Sequence, residues 1–219
     1  ETAFIVLENN RYYIRWFTPA TEVKLCGHAT LAASHIIFSE LKHSENIIRF
    51  DCLSGPLTVT KTDDGKLTLD FPANPPKPVA ANEIPAGLFE GLGIENGLVF
   101  NTSFDYMVVL PSQKIIEGLN PDFKTLAKVK ARGVIATAKG DSSDFVSRCF
   151  YPQSGIDEDP VTGSAHTIMV PFWANALNKN ILSAIQISKR KGVLDCELKG
   201  DRVLMSGTAV TYLKGEYFM

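Results

Sequence analysis

The sequence predicts an α+β fold built twice: two similar lobes, each a set of mostly antiparallel strands curled around one apolar helix. The first observation behind this is a repeated signature. Arg15-Trp16-Phe17-Thr18-Pro19 is followed eight residues on by Gly27-His28-Ala29-Thr30, and Arg148-Cys149-Phe150-Tyr151-Pro152 is followed eleven residues on by Gly163-Ser164-Ala165-His166. The second is that the downstream elements repeat as well. Each glycine leads into an apolar helical stretch, Thr30 to Leu41 and Ser164 to Leu177. Then come a short strand, a glycine-containing turn and a hairpin tipped by Asp63-Asp64-Gly65-Lys66 or by Lys199-Gly200-Asp201-Arg202. Units about 135 residues apart are too long for a solenoid period. Two lobes that face each other, with a site between them receiving one helix N-terminus from each, are the expected arrangement.

Taken in order, Thr2–Leu7 and Arg11–Phe17 read as strands joined by a turn at Glu8-Asn9-Asn10. Thr18–Cys26 reads as a loop, since Pro19 suits no strand interior. The helix from Thr30 is apolar almost all round, which predicts burial on most faces. Strands at Ile47–Phe50, Leu57–Lys61 and Leu67–Phe71 come next. The proline-rich run Pro72–Pro78 is the best linker, which sets the lobes at 1–76 and 77–219, with the last strand a candidate to return to the first lobe. The second lobe is expected to hold a short helix (Glu83–Leu92), strands at Gly97–Asn101 and Tyr106–Leu110, and a helix around Pro121–Val129. Strands at Gly133–Ala138, Asp144–Tyr151 and Ile185–Ile187 accompany the second core helix, and two strand-like runs close the chain, Arg202–Met205 and Ala209–Leu213. Pro171 inside that helix predicts a kink or a late start.

Composition removes several function classes. The 219 residues, 45% hydrophobic, fill two cores and do not suit a disordered chain. A net charge of −2 offers no electrostatic case for nucleic acid, and Lys189-Arg190-Lys191 reads as a solvated turn. No apolar run reaches membrane-spanning length, and no signal-peptide pattern precedes the first strand. The cysteines at 26, 52, 149 and 196 fit neither a zinc ribbon nor a disulfide framework, so reduced thiols and a cytoplasmic location are expected. The strand that starts directly after Glu1, with no Met and no lead-in, fits either a processed piece or a chain with residues upstream.

The residues suited to chemistry gather at the two helix starts. Gly27 and Gly163 let a ligand approach the backbone, and the N–H groups of a helix start favour an anion such as a substrate carboxylate. His28 lies on the first helix-start loop rather than on an apolar face, which points to a site role. In Asp157-Glu158-Asp159-Pro160-Val161-Thr162-Gly163-Ser164, Asp159 is nearest the turn and the best candidate to face a cleft. Asp157 and Glu158 read as dipole complements. His35 reads as packed or hydrogen-bonded and His43 as surface. The alternating acids of a calcium loop, zinc-ligand spacing around His166, a nucleophile elbow and a phosphate-binding loop are all missing, so neither metal nor cofactor is expected.

The blocks Glu1-Thr2-Ala3-Phe4, Trp16-Phe17-Thr18-Pro19, Glu22-Val23, Leu25-Cys26-Gly27-His28-Ala29-Thr30 and Glu158-Asp159-Pro160-Val161-Thr162-Gly163-Ser164-Ala165 resemble the PhzF-like, phenazine-biosynthesis isomerase family, in order and across the chain. The resemblance implies a diaminopimelate epimerase-like fold of two pseudo-symmetric lobes. It also implies a first lobe lacking its N-terminal strands, and a homodimer. By motif match Glu1 falls on the family's acid/base, with His28 and Asp159 as catalytic partners and Gly27, Gly163 and Ser164 as substrate-binding groups. The implied activity is a cofactor-independent proton shift on a small carboxylate-bearing molecule, best served if burial raises the Glu1 pKa toward neutrality. An ammonium group on Glu1 itself would oppose that rise. Related epimerases place one thiol before each helix; Cys26 holds the first place and Thr162 the second, so Cys26 reads as a packed thiol. An amino-acid racemase or epimerase is the alternative enzyme, and a non-catalytic metabolite- or protein-binding relative the alternative of a different class.

Overall fold

A computed structural model describes residues 1–9, 11–18 and 21–216; Asn10 of the first expected turn and Pro19 of the loop after the second strand lie outside them. The chain divides into two compact units, 1–71 with 204–219, and 72–203. In the first unit β1 (Thr2–Glu8) and β2 (Arg11–Phe17) pair antiparallel. β2 buries Tyr12, Ile14 and Trp16 and exposes Arg11, Tyr13 and Arg15, the period-two pattern of a half-buried strand. β3 (Glu22–Val23) returns against β2 inside the stretch expected to be loop. α1 (Gly27–Ser39), β4 (Ile47–Cys52), β5 (Gly55–Lys61) and β6 (Leu67–Pro72) come after it, with β4 parallel to β2 and the next two pairs antiparallel.

α1 starts at Gly27, before the expected Thr30, because Cys26 in extended backbone already serves as its N-cap. Thr30 and Ser34 lie buried within the helix by donating their hydroxyls to the carbonyls of Cys26 (2.5 Å) and Thr30 (2.8 Å). The helix is less enclosed than its apolarity predicts: Leu31, Ile36 and Phe38 are half-buried and Ala32 is exposed. His43, expected at the surface, is half-buried. It approaches the Tyr12 and Phe38 rings edge-on, and its Nε2 donates to the Ile47 carbonyl at 3.0 Å.

The second unit runs β7 (Lys77–Pro78), α2 (Leu88–Leu92), β8 (Leu98–Asn101), β9 (Asp105–Val109), α3 (Gln113–Gly118), α4 (Phe123–Leu126), β10 (Gly133–Lys139), β11 (Phe145–Tyr151), β12 (Ile156–Asp159), α5 (Gly163–Leu177), β13 (Ile181–Gln186) and β14 (Gly192–Lys199). Its sheet order is β7-β8-β9-β10-β11-β13-β14, with β12 on the side of β11. β10 is buried on both faces from Gly133 to Ala138, as its unbroken apolar run suits. Val134, Ala136 and Ala138 join a core with Leu88, Leu92 and Leu126 of the short helices. On the other side Thr137 accepts a hydrogen bond from Trp173 Nε1 of α5 at 3.0 Å. β15 (Arg202–Gly207) then carries the chain back to the first unit, where it neighbours β6 and Ser206 Oγ lies 2.7 Å from Thr68 Oγ1.

The pairing scheme of β1-β2-β3-α1-β4-β5 recurs in β10-β11-β12-α5-β13-β14: an antiparallel pair, a short antiparallel return, a helix, a parallel partner for the second strand, and an antiparallel hairpin. This bears out the α+β class and the duplicated architecture.

Several elements differ from expectation for local reasons. The helix expected over Glu83–Leu92 is a 3₁₀ turn at Ala81–Glu83 and then α2. Ile84, ahead of Pro85, is extended, and Gly87 sits at φ 82°, so no helix passes through. The helix expected around Pro121–Val129 shrinks to α4, capped by Asp122, whose carboxylate accepts from the Lys124 and Thr125 N–H groups at 3.0 and 3.3 Å. β13 starts at Ile181, earlier than the expected Ile185, and α3 has no counterpart among the expected helices. Ala209–Leu213 is not a strand: Val210, Tyr212 and Leu213 are exposed, and residue propensity alone gives a strand nothing to pair with.

Pro171 neither delays α5 nor ends it. The proline removes the N–H that would reach the Thr167 carbonyl. That carbonyl instead accepts from the Asn74 N–H at 2.9 Å, so part of the proline-rich stretch expected to be a linker docks on the helix and satisfies it.

Candidate active site

In the first unit the expected acid and histidine meet. Glu1 is exposed as a residue because of its main chain, yet its side chain is only 15% exposed. Its Oε2 lies 3.1 Å from His28 Nε2, and Cys26 Sγ lies 3.7 Å from the same nitrogen. Cys26 is the N-cap of α1 and His28 stands in its first turn, so two donors share one rigid helix start and the third comes from the residue preceding β1. The hydrogen bond from His28 lowers the Glu1 pKa. Burial works the other way, and the nearby positive charge of His28 adds to the lowering. The upward shift expected from burial is thus overturned, because the imidazole contact outweighs desolvation.

In the second unit Asp159 is buried at the end of β12, opposite Cys149 of β11. Its Oδ2 accepts the Thr162 hydroxyl at 2.5 Å, and its carbonyl accepts from Gln186 Nε2 at 2.6 Å. Gln186 Oε1 in turn accepts the Thr162 N–H at 2.8 Å, so one buried amide ties the whole turn to β13. Gly163 and Ser164 open α5 directly after this turn. Among the described residues no side chain caps the first N–H groups of either helix: Cys26 and Thr162 both stand at the N-cap without such a bond. Asp159, Gly163 and Ser164 belong to this unit, and Glu1, Gly27 and His28 to the first.

Glu158 is not a helix-dipole complement. It forms a two-pronged ion pair with Arg148, both bonds 2.8 Å. Arg15 and Glu22 make the same pair in the first unit, both bonds 2.7 Å. Register then assigns the equivalences. Thr2 lies opposite Phe17 and Val134 opposite Phe150; Val23 lies opposite Trp16 and Asp159 opposite Cys149. With Phe17 matched to Phe150, Glu1 corresponds to Gly133, Cys26 to Thr162 and His28 to Ser164. Gly133 admits no side chain, since a Cβ there would run into the Tyr151 ring. The second copy of the motif therefore carries no acid, thiol or imidazole at these places.

The match of the phenazine biosynthesis-like protein family model spans residues 1–215. The chain belongs to the phenazine biosynthesis-like, or PhzF, family. An uncharacterized isomerase of Pseudomonas aeruginosa is 47% identical over 215 residues, which cover 98% of this chain and 81% of that protein. An uncharacterized isomerase of Halalkalibacterium halodurans is 46% identical over 223 residues, covering 100% and 83%. The crystal structure of an Enterococcus faecalis phenazine biosynthesis protein of the PhzF family aligns with a TM-score of 0.94 at 42% identity, covering 100% of this chain and 82% of that one. This PhzF-like chain is accordingly an isomerase with the family's α+β fold. None of its described helices is long and apolar enough to cross a membrane.

Two features of this PhzF-like site go beyond the sequence reading. Cys26 is buried, as a packed thiol would be, but its sulfur also touches the Glu1–His28 pair. The signal available was its spacing, two residues before His28 at a helix start. His166, which no motif spacing marks, is fully buried. Its Nδ1 donates to the Thr162 carbonyl at 2.8 Å, which leaves Nε2 with a lone pair and no hydrogen-bond partner among the described residues. Burial pulls its pKa from 6.5 to about 4. The unfolded chain takes up this proton near pH 6.5 and the native chain only near pH 4. Stability is therefore full above 6.5 and falls as the pH drops to 4, by about 3 kcal/mol for a shift of 6.5 − 4. Urea midpoints at pH 7 and pH 5 check this: His166→Gln is expected to flatten the slope, and an unchanged slope would reject the assignment.

Proposed function

We propose that the protein shifts a proton on a small carboxylate-bearing metabolite without a cofactor, with the Glu1 carboxylate as the single proton-transfer group. The carrying observation is the Glu1–His28 contact of 3.1 Å, set against Gly133 and Ser164 at the equivalent places. A two-base racemase needs a second acid/base, and the repeat offers glycine and threonine where an acid and a thiol would stand. In the proposed step the Glu1 carboxylate takes a C–H proton, becomes a carboxylic acid, and returns the proton at a different carbon. The lowered pKa keeps Glu1 ionised and ready to accept. His28 orients the carboxylate and stabilises its charge. Asp159 and Ser164, with Gly27 and Gly163 at the helix starts, are assigned to holding the substrate and its carboxylate.

The test is a panel of small carboxylic acids incubated with the protein in deuterium oxide. Entry of solvent deuterium at one carbon, with migration of unsaturation or of a functional group, is expected for at least one acid. Inversion of a stereocentre without migration would favour the racemase. Binding without wash-in across the panel would favour a non-catalytic relative. A homodimer belongs to the same reading; light scattering is expected to give twice the mass of the chain, and a monomer mass at micromolar concentration would reject it.

A further inference from the structure

We propose that Glu1, Cys26 and His28 also form a binding site for one zinc-class divalent cation, and that its occupancy shuts off proton transfer; the second half rests on the reading of Glu1 as the proton-transfer group. Their donor atoms all lie within 4.8 Å of one another. Thiolate, imidazole and carboxylate together suit zinc and cobalt and not calcium or magnesium, which take oxygen ligands. Three protein ligands with a fourth position left open are a common zinc arrangement.

Distances decide between a chance cluster and a ligand set. Zinc bonds of about 2.0–2.3 Å at the tetrahedral angle place nitrogen and oxygen donors about 3.3 Å apart, and sulfur and nitrogen donors about 3.6 Å apart. Here Nε2 and Oε2 are 3.1 Å apart, and Sγ and Nε2 are 3.7 Å apart. These two pairs match a tetrahedral cation to a few tenths of an ångström, and the third, Cys26 Sγ to the Glu1 carboxylate, lies within 4.8 Å and closes on binding. The frame is already fixed, since the Cys26 carbonyl accepts both the Thr30 N–H at 3.1 Å and its hydroxyl at 2.5 Å. A cation bound here occupies the lone pairs with which Glu1 would take a proton. One site per chain is expected, because Gly133, Thr162 and Ser164 supply no such donors in the other unit.

Titration of the full chain with cobalt(II), followed by absorption, tests the site. One equivalent is expected to bind, with a thiolate-to-cobalt charge-transfer band and the d–d bands of a tetrahedral ion. Zinc should displace it. Cys26→Ser should abolish the charge-transfer band, while His28→Ala and Glu1→Gln should each weaken binding at least ~10-fold, no less than the loss of an outer-shell partner costs. Cys52→Ser, at a half-buried thiol that donates to the Gly55 carbonyl, should leave the titration unchanged. No saturable band up to millimolar cobalt, or a band that survives Cys26→Ser, would overturn the metal site. Zinc is further expected to stop deuterium wash-in, and a chelator to restore it. Wash-in that persists with zinc bound would leave the metal site standing and remove Glu1 as the base. Glu1-dependent wash-in without any metal binding would do the reverse.

Discussion

Glu1→Gln is expected to lower deuterium wash-in by about 10²- to 10⁴-fold, the usual worth of a positioned general acid–base group. The amide keeps the shape of the carboxylate and can still accept from His28 Nε2, now 3.1 Å from the carboxylate oxygen. What it cannot do is take and return a proton. Ground-state contacts largely survive, so the affinity for the exchanging acid, measured by calorimetry, should change little while the rate collapses. Cys26→Ala supplies the contrast. Cys26 touches His28 at 3.7 Å, but its counterpart Thr162 is no thiol, so its removal should cost the rate little. Wash-in that survives Glu1→Gln and disappears in Cys26→Ala would replace the carboxylate mechanism with a thiol one.

The same contact sets the expected pH behaviour. A carboxylate whose pKa is lowered in the folded chain contributes stability above its unfolded pKa, and loses it as the pH falls through the folded value. The acid limb of the wash-in profile should therefore lie below the ordinary glutamate range. His28→Ala, which removes the largest lowering cause, should move that limb upward.

Much of the fold was legible in the sequence because it is local or repeated. The two helix starts announce themselves through Gly27 and Gly163, and the Arg15 and Arg148 signatures mark equivalent strands that the structure pairs in the same way. The misses are contacts that no local pattern encodes. Glu158 turns to Arg148 ten residues away, and the loop expected before α1 holds a short return strand that places Glu22 on Arg15. Pro171 stays inside its helix because the backbone of Asn74, far away in sequence, takes over one carbonyl. The Ala209–Leu213 run is rich in strand-forming residues but is not part of a ladder. At the site, loop position pointed to His28 and the family resemblance to Glu1, whereas the direction of the Glu1 pKa depended on a distance between them that only coordinates supply.

Arg132→Met is expected to destabilise the second unit by about 3 kcal/mol, the lower end for breaking a buried ion pair. Asp105 opens β9 and lies directly opposite Gly133, the first residue of β10. Its carboxylate side chain has no solvent exposure, and both its oxygens accept from the Arg132 guanidinium, Nε at 2.9 Å and Nη2 closer still. Burial by itself would pull the Arg132 pKa down. The hydrogen bond to Asp105 and the Coulombic contributions of Tyr151, Asp105 and Cys149 together outweigh it, and the net shift is upward. The guanidinium also lies 5.6 Å from the Phe104 ring centroid and 5.4 Å from that of Tyr151. Methionine preserves much of that packing but leaves the Asp105 charge buried without its partner. The lower end applies because the Arg132 side chain is 38% exposed, so water already screens part of the pair. Replacing both members, Asp105→Leu with Arg132→Met, removes the uncompensated charge and should recover at least about half of the loss. Urea unfolding of the single and double variants reads the cycle directly. A single-variant loss below about 1 kcal/mol, the range of an exposed pair, would show that the ion pair does not anchor the start of β10. A double variant no more stable than Arg132→Met would show that the cost lies in lost packing on Phe104 and Tyr151 rather than in the stranded carboxylate.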